Sequence, residues 1–552
     1  MTDDLAAEGT GFQLAETSGV NPSVFTKPEK KSYTSWTPER LQLLKDMWSR
    51  GDSPPAIAEA LGVTVKAVYE IRSKYRLPVR KITPGRPSRL ANRVRSRPRI
   101  KRVAFETSRL MEFCTRRELE NQTAHQIDDW GCVLVKELID NSLDASEEAE
   151  IAPVINISVI SNRKIGTTYV IEDNGPGIPA ATVAGIIDYT TRTSSREAYV
   201  SPTRGAQGNA VKTILPMGYV LQSEAGAPLE SKTLIEARGV AHTIRFSVDR
   251  IRMEPMIEHH KASSDIRVGT RITVLWPHYL LDDEDESLIE LVSNFAWVNP
   301  HLSVRMSWNG VERVNYTASN PAWTKWLPSN PTCPHWYDYQ RFERYMAAHI
   351  ARRPKKGRAQ FTVREFLSEF RGLTSTIKQK AILEEFAASH MPLAEFFGTS
   401  KRVNTKRIGK LLESMKRHTK KVPAQQIGVI GEDHFLKLFM ADGGDPETFQ
   451  YRRKFNVIDG VPRVMEFAFG VHAAGLKRTD DLAVPGRRLI NAVNWSAAIG
   501  NPFRSLGRLG EGAESLLTDL RAYRDDPIIA VLHYACPRAA YLDRGKSAIA
   551  LD

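Results

Sequence analysis

Glu137 and Asn141 have the clearest capacity for chemistry, because they lie four positions apart in the apolar-rich stretch from Val133 to Ala145. Residues with this spacing lie on one side of an α-helix. A glutamate can take a proton from an attacking water, and an asparagine offers a neutral oxygen to Mg²⁺. The pair predicts metal-nucleotide chemistry. An ordinary amphipathic helix with a solvated acidic side is the alternative for this stretch alone.

The element that must position this pair is a helix with a buried seam. Val135, Ile139 and Leu143 repeat every four residues, which predicts an apolar stripe packed against a core. Asp140 and Asp144 form a second pair at the same spacing. Carboxylates beside a core cost free energy when they lose water, so several of them on one short helix indicate a functional site.

A second candidate stretch is 170–179, where β-prone residues run into the string EDNGPGIP. It predicts a β-strand that ends in a glycine turn. Asp173, at the end of that strand, can accept a hydrogen bond from an exocyclic amine such as that of adenine. Gly175 and Gly177 allow the backbone to approach a flat ring where a Cβ would collide.

A third stretch, residues 203–214, predicts a glycine-rich loop that opens a helix. Backbone N–H groups at a helix N-terminus make a phosphate site. The loop is not a Walker motif, because no Gly-Lys-Ser/Thr follows at the required spacing. Each stretch alone is weak, but their order along the chain predicts a nucleotide site.

The three stretches resemble the ATP-binding superfamily of gyrase, heat-shock chaperones, histidine kinases and MutL. The strings KELIDNSLDASEEA, EDNGPGIP and RGAQGNA are most similar to the B subunits of DNA topoisomerase VI. The resemblance implies a Bergerat-type site with Glu137 as general base, Asn141 as Mg²⁺ ligand and Asp173 as adenine reader. The implied ATP-binding residues of the loop and its helix are Gly205, Gln207, Gly208, Asn209, Ala210 and Lys212.

The same resemblance implies two later site residues and shows one departure. A Gly-Thr pair opens a late strand near the adenine in this superfamily, so Thr270 is a secondary candidate, with a plain strand residue as the alternative. The string YLDRGKSAIA resembles the family's transducer loop, in which Lys546 would hold the γ-phosphate; the alternative is a surface lysine. Ala210 departs from the family, whose loop usually has glycine there, so loop closure is expected to differ in detail.

Composition sets the class of protein. A chain of 552 residues predicts three or four domains, and a net charge of +13 with a pI near 9.4 favours a polyanionic partner. A ribosomal or membrane-surface protein is the alternative that has the same charge balance. The acidic start has no apolar signal segment, and no apolar run reaches the length of a membrane span. The four cysteines form no CxxC pair, which favours a reducing compartment and argues against structural zinc. We expect a cytoplasmic, nucleoid-associated protein.

The predicted fold class is α+β and multidomain: a Bergerat-type ATPase α/β sandwich, a helical insert, an α/β transducer domain and an N-terminal three-helix helix-turn-helix. The predicted boundaries are a disordered tail at 1–31, the helix-turn-helix at 33–78, a basic linker at 79–103, the ATP-binding domain at 104–278, a helical region with a helix-two-turn-helix-like insert at 279–423, and the transducer-like domain at 424–552.

The N-terminal helices are predicted from caps and apolar spacing. Thr37 and Pro38 predict the start of the first helix, and Thr64 the start of the third. The residues expected to face the core are Leu41, Leu44, Trp48, Ala56, Ile57, Ala60, Leu61, Val65, Val68 and Ile71. The pattern is similar to that of GcrA-like bacterial regulators.

Cationic and aromatic side chains of this N-terminal part are candidates for binding DNA. Those expected on the outer side of the third helix are Lys66, Tyr69, Arg72 and Lys74, and Arg95 and Arg97 represent the basic linker. The alternatives are a protein-binding three-helix module and a solvated spacer.

These observations predict an ATP-gated clamp like the B subunits of type IIB topoisomerases, which dimerises on binding Mg·ATP. No cleavage tyrosine has a recognisable setting, so strand cleavage is expected from a separate A-type subunit. The family continues into a stalk helix, whereas this sequence ends at Asp552; we expect a fragment or a protein that works without that coupling. The alternatives are a stand-alone ATP-switched regulator or mobile-element protein, and a MutL-like repair clamp.

Overall fold

The computed structural model describes residues 36–79, 111, 113–189, 198–204, 210–225, 231–249, 251–252, 254–280, 282–351, 360–399, 402–473, 486–504, 512–543 and 547–550. The chain divides into two compact units, 1–103 and 104–552. The tail predicted at 1–31 and nearly all of the predicted linker lie outside the described residues. No helix in the described ranges is long and apolar enough to cross a membrane.

The first unit contains the three predicted short helices, α1 (Pro38–Arg50), α2 (Pro54–Ala60) and α3 (Val65–Lys74). Their N-caps are Thr37, Ser53 and Thr64, and each hydroxyl accepts a hydrogen bond from the backbone N–H three residues later. These local bonds explain why the helix starts were readable from the sequence.

The core of the first unit differs in part from the expectation. Its buried residues are Leu44, Trp48, Ile57, Ala58, Leu61, Val68 and Ile71. Ala56, Ala60 and Val65 were expected to face inward and are exposed. α2 is only two turns long and packs through Ile57 and Ala58, so Ala56 and Ala60 turn outward. Val65 is the first residue of α3 and lies at the turn, beyond the reach of the core.

The second unit mixes helices and sheets, which confirms the predicted α+β class. Its helices are α4 (Arg116–Thr123), α5 (Trp130–Glu148), α6 (Ala180–Ile186), α7 (Ala210–Ala225), α8 (Asp282–Val298), α9 (Tyr339–Ala351), α10 (Val363–Ser368), α11 (Thr376–Glu385), α12 (Leu393–Phe397), α13 (Thr405–His418), α14 (Glu432–Ala441) and α15 (Ala513–Asp519).

The strands fall into a large sheet, a smaller sheet and short pairs. They are β1 (Val154–Asn162), β2 (Gly166–Asp173), β3 (Ser231–Ala237), β4 (Val240–Asp249), β5 (Glu254–Ser263), β6 (Thr270–Trp276), β7 (Ser303–Trp308), β8 (Val311–Tyr316), β9 (Gly398–Thr399), β10 (Arg402–Val403), β11 (Gln450–Ile458), β12 (Val461–Val471), β13 (Arg488–Val493), β14 (Ser496–Ala497), β15 (Ile528–Ala535), β16 (Ala540–Tyr541) and β17 (Ile549–Ala550).

The large sheet has eight strands in the order β5-β4-β3-β6-β2-β1-β7-β8. All neighbours are antiparallel except β1 and β7. Alternation of buried and open residues along β1 and β3 matches a sheet with one covered face. The region 279–423, which we predicted as helical, also supplies β7 and β8 to this sheet.

The smaller sheet has five strands in the order β11-β12-β15-β13-β14. β13 and β15 are parallel, and α15 lies in the connection between them. The α/β layer predicted for this part of the chain is therefore observed.

α8 packs between the two sheets, since it contacts β7 and β8 of the large sheet and β13 and β14 of the smaller one. One hydrophobic core extends through both. Four of the five tryptophans between positions 297 and 336 are buried: Trp297, Trp308, Trp326 and Trp336. Trp323 is half-buried and donates from Nε1 to the Val429 carbonyl at 2.6 Å.

Candidate active site

One side of α5 is open, and it carries Glu137 and Asn141. The Glu137 side chain is 33% exposed, and the Lys136 ammonium lies 3.5 Å from its Oε1. Asn141 is exposed, and no residue within the described ranges hydrogen-bonds its side-chain amide. The predicted stripe on the opposite side is fully buried, which fixes the helix in place: Val135, Ile139 and Leu143. Both polar groups are thus held on a rigid helix and directed outward.

Asp173 lies at the end of β2 and is tied to α5. The Ser142 hydroxyl donates to Asp173 Oδ2 at 3.0 Å. The backbone N–H groups of Gly175 and Thr270 donate to Oδ1 at 2.9 and 3.1 Å. Burial raises the pKa of the Asp173 carboxyl. The three bonds fix the orientation of this carboxylate beside the helix that carries Glu137.

Thr270 belongs to the same cluster as Asp173. Its side chain is buried, and its hydroxyl accepts from the Ile178 N–H at 3.2 Å. Gly269 has φ +76°, and a Cβ there would lie 1.8 Å from the Asp173 carbonyl oxygen. Glycine is therefore required at 269 for the start of β6 to lie against the end of β2.

Gly175 and Gly177 allow the turn after β2 to lie close to α5 and to the start of β6. A Cβ on Gly177, whose φ is +74°, would lie 2.9 Å from the Gly269 carbonyl oxygen. A Cβ on Gly175 would lie 3.1 Å from both Asp173 Oδ1 and Ser146 Oγ. We predicted that these glycines admit a flat ring, whereas the neighbours of their missing side chains are protein atoms.

The phosphate-loop residues Gly205, Gln207, Gly208 and Asn209, and Lys546 of the transducer-like loop, lie outside the described residues. Ala210 is the first residue of α7. Lys212, two residues later, is buried; its ammonium donates to the Asp188 carbonyl at 2.6 Å, and burial lowers its pKa. Its bond to Asp188 points this side chain into the protein.

The adjacent side of α5 is closed, because Glu147 is surrounded by cations. Arg204 donates from Nη1 and Nη2 to the two carboxylate oxygens of Glu147, each at 2.7 Å. The Lys325 ammonium lies 2.9 Å from Oε2. Nε2 of His301 lies 2.9 Å from Oε1. Burial alone would raise the pKa of Glu147, but Arg204 and Lys325 outweigh it and hold that pKa well below its usual range.

Asp140 and Asp144 complete the closed side. Arg204 Nη1 donates to Asp144 Oδ1 at 3.0 Å. Lys136 and Ser496 both donate to Asp140 Oδ2, at 2.9 and 2.7 Å. Burial raises the pKa of Asp140. The second acidic pair that we singled out in the sequence is thus enclosed by basic and hydroxyl groups.

Sequence reasoning missed the partners of these acids. Arg204, Lys325 and Ser496 carry no local signal, although the run of acids at 140, 144 and 147 indicates that cations must approach one side of α5. Ser142 was missed as well; its place between Ile139 and Leu143 gave it no apparent role.

The candidate DNA-binding residues of α3 differ in their surroundings. Lys66 and Lys74 are exposed, with Lys66 3.9 Å from Glu70. Tyr69 is 48% exposed and packs edge-on against Trp48. Arg72 is half-buried, lies over the Trp48 ring and donates from Nε to the Leu77 carbonyl at 3.3 Å. Arg95 and Arg97 lie outside the described residues.

The donor set on the open side of α5 suits a magnesium-bound nucleotide. Asn141 offers an amide oxygen, Glu137 an accessible carboxylate, and Asp173 a fixed acceptor whose lone pairs are not all used. Hard oxygen donors are what Mg²⁺ prefers. The amide oxygen of Asn141 is chemically suited to a magnesium ion, the carboxylate of Glu137 to a water molecule and that of Asp173 to an amine.

Residues 132–214 match the family model described as histidine kinase-, DNA gyrase B-, and HSP90-like ATPase. The curated relatives include the B subunit of type 2 DNA topoisomerase 6 from Halobacterium salinarum, 32% identical over 190 residues, which is 32% of this chain and 22% of that protein. The corresponding protein of Saccharolobus solfataricus is 27% identical over 356 residues, 61% of each chain. The resemblance read from the three strings is thereby confirmed. The chain matches less than two thirds of each relative's length.

Solved structures with some likeness include the Aquifex aeolicus MutL ATPase domain complexed with ADP, at 10% identity and a TM-score of 0.27, covering 74% of this chain and 91% of that chain. Another is the ATPase region of Saccharomyces cerevisiae topoisomerase II, at 11% identity and a TM-score of 0.33, covering 76% of both chains. Such low TM-scores add nothing to the sequence match.

Proposed function

We propose that this chain is an ATP-operated DNA clamp like the B subunits of type IIB topoisomerases. The observation that carries the proposal is the bond from Ser142 to Asp173, which ties the end of β2 to the helix bearing Glu137 and Asn141. The ATPase match over 132–214 and the similarity to the topoisomerase 6 B subunits support it independently.

Each residue of the site has a distinct role in this proposal. Magnesium-bound ATP supplies the electrophilic γ-phosphorus. Glu137 takes the proton of the attacking water, and Asn141 offers its amide oxygen to the metal. Asp173 accepts from the adenine amine. Gly205, Gln207, Gly208, Asn209 and Ala210 would bind the phosphates, and Lys546 would neutralise charge that develops on the γ-phosphoryl group.

The partners follow from the same similarity and from charge. Two copies would dimerise on binding Mg·ATP and enclose a DNA duplex, for which the net charge of +13 is suited. A separate A-type subunit would cut the DNA. We place this activity in the cytoplasm, at the nucleoid.

The test is turnover by Glu137→Ala. We expect ATP hydrolysis to fall by about 10² to 10⁴-fold, the usual contribution of a general base. Dimerisation with a non-hydrolysable analogue, followed by light scattering, should persist. Glu148→Ala is the matched control, because Glu148 is an exposed carboxylate on the same helix. Wild-type turnover in Glu137→Ala would remove the proposed mechanism.

A second candidate is a stand-alone DNA-binding regulator that uses ATP as a switch. The exposed cations Lys66 and Lys74 on α3 favour it. A sequence-specific footprint that Lys66→Ala and Lys74→Ala weaken, with no DNA-cleaving partner recovered by pull-down, would support this candidate. Supercoil relaxation on adding a co-expressed A-type subunit would support the clamp.

A further inference from the structure

The turn between β13 and β14 has a backbone that its residues rarely adopt. Asn494 and Trp495 have φ of 51° and 63°. Two-residue hairpin turns of this kind favour Asn-Gly, because glycine has no Cβ to clash. Positive φ is an outlier for a bulky residue such as tryptophan. A tryptophan at this turn therefore indicates that its contacts outweigh the strain.

Those contacts are with the residues that close one side of α5. The Trp495 ring is fully buried, and the Lys325 ammonium lies 5.0 Å from its centre. The Trp495 carbonyl accepts from Arg204 Nε at 3.3 Å and from Asn299 Nδ2 at 3.0 Å. The same Arg204 binds Glu147 on α5.

Asn494 anchors the turn in the smaller sheet. Its N–H donates to the Tyr534 carbonyl at 2.9 Å, and its Oδ1 accepts from the Cys536 N–H at 2.8 Å. Its Nδ2 donates to the Thr203 carbonyl at 3.3 Å. The Asn494 backbone thus binds β15, and its side chain joins the residue after β15 to the residue that precedes Arg204.

Ser496 connects β14 directly to α5, the helix that carries Glu137. Its hydroxyl donates to Asp140 Oδ2 at 2.7 Å, and Lys136 donates to the same oxygen at 2.9 Å. Lys136 lies 3.5 Å from Glu137 Oε1. A shift of Ser496 must therefore break a buried hydrogen bond or move Asp140 and, with it, the neighbourhood of Glu137.

We propose that Trp495, Ser496 and Arg204 are positioning residues for hydrolysis, which form a joint between the smaller sheet and α5. The joint fixes the position of Glu137 relative to the smaller sheet. The rate of ATP hydrolysis therefore depends on the position of that sheet. This inference rests on the proposed function, since it assumes that Glu137 activates water. The joint uses residues other than Lys546, and it acts on the general base.

Ser496→Ala is the first test. We expect kcat to fall by about ten- to a hundredfold, because small displacements far from the chemistry have effects of that order. KM and the affinity for a non-hydrolysable analogue should stay within about threefold. Ser496→Thr, which keeps the hydroxyl, should restore turnover. Ser414→Ala removes a fully buried hydroxyl from α13 and should leave kcat unchanged.

Arg204→Lys is the second test, because lysine keeps the charge and loses the two-pronged bond to Glu147. We expect the same split, a lower kcat with unchanged analogue binding. Arg487→Lys is the matched control. The Arg487 side chain is 3% exposed, pairs with Glu514 and donates to the Ala522 carbonyl at 2.6 Å. All three residues belong to the smaller sheet and its α15 connection.

The outcomes separate the two proposals. Turnover that requires Glu137 but is unchanged in Ser496→Ala and Arg204→Lys would overturn the joint alone. If the wild-type protein hydrolyses no ATP, or if Glu137→Ala hydrolyses ATP as fast as the wild type, the proposed function fails and the joint fails with it. If Arg204→Lys does not fold, Ser496→Ala and its threonine rescue decide.

Discussion

α5 presents acids on two adjacent sides, and the protein treats them in opposite ways. On the open side, the Glu137 side chain is one-third exposed, and the Lys136 ammonium lies 3.5 Å from its Oε1. On the closed side, Glu147 is buried and contacts Arg204 and Lys325 at 2.7 and 2.9 Å. Two glutamates of one helix thus differ: Glu137 is partly open to solvent, and Glu147 is neutralised by cations of the same chain.

The difference separates a carboxylate that is accessible enough to act as a base from one that holds parts of the fold together. A buried carboxylate needs matched cations and hydrogen bonds, or its desolvation cost is uncompensated. Glu147 has both carboxylate oxygens directed at protein donors, so it can hold elements together but cannot take a proton from a substrate. Glu137 has open acceptor positions and access to solvent, as a general base requires.

The largest expected effect is on the free energy of unfolding, and it distinguishes the closed side of α5 from the open side. Glu147→Ala leaves Arg204 and Lys325 without their shared carboxylate, so we expect it to cost about 3–5 kcal/mol of unfolding free energy. Glu137→Ala removes a partly exposed group and should change stability by at most about 0.5 kcal/mol. Urea denaturation of both variants measures this. Equal destabilisation would contradict the distinction between the sides.

An intermediate effect concerns Asp173, a half-buried acid that hydrogen bonds hold in place. In the proposed site the ionised carboxylate of Asp173 accepts from the adenine amine more strongly than the protonated acid would, and burial raises the pKa of Asp173. Nucleotide affinity should therefore weaken as pH falls through that raised pKa, by up to about tenfold per unit below it. The loss should begin at a higher pH than for an ordinary aspartate. Titration of a fluorescent analogue measures it, and a flat profile shared with Asp173→Asn would contradict it.

The smallest expected effect concerns Ser142, which ties Asp173 to α5. Ser142→Ala removes one hydrogen bond and should cost about 1 kcal/mol of stability. Analogue affinity should fall a few fold, because the carboxylate loses one of its three fixed bonds. Ser223→Ala is the control, since that hydroxyl donates to Val220 in its own helix. Unchanged affinity in Ser142→Ala would show that the backbone donors suffice to orient Asp173.

Local signals in the sequence predicted local structure well. The caps Thr37 and Thr64 determined helix starts, because a hydroxyl satisfies backbone donors within three residues of itself. The inward residues of the short helix α2 were partly mispredicted, since two turns do not define a stripe and the neighbouring helices decided which alanines are covered.

From the sequence alone came the apolar stripe of α5, the strand that ends at Asp173 and the order of the three nucleotide-site strings, all of which depend on periodicity and neighbours. Only the tertiary structure decided which acids are closed off. Arg204 lies 57 residues from Glu147 along the chain and Ser496 lies 356 residues from Asp140. Burial and ion pairing depend on such distant partners, so spacing along one helix leaves the two sides indistinguishable.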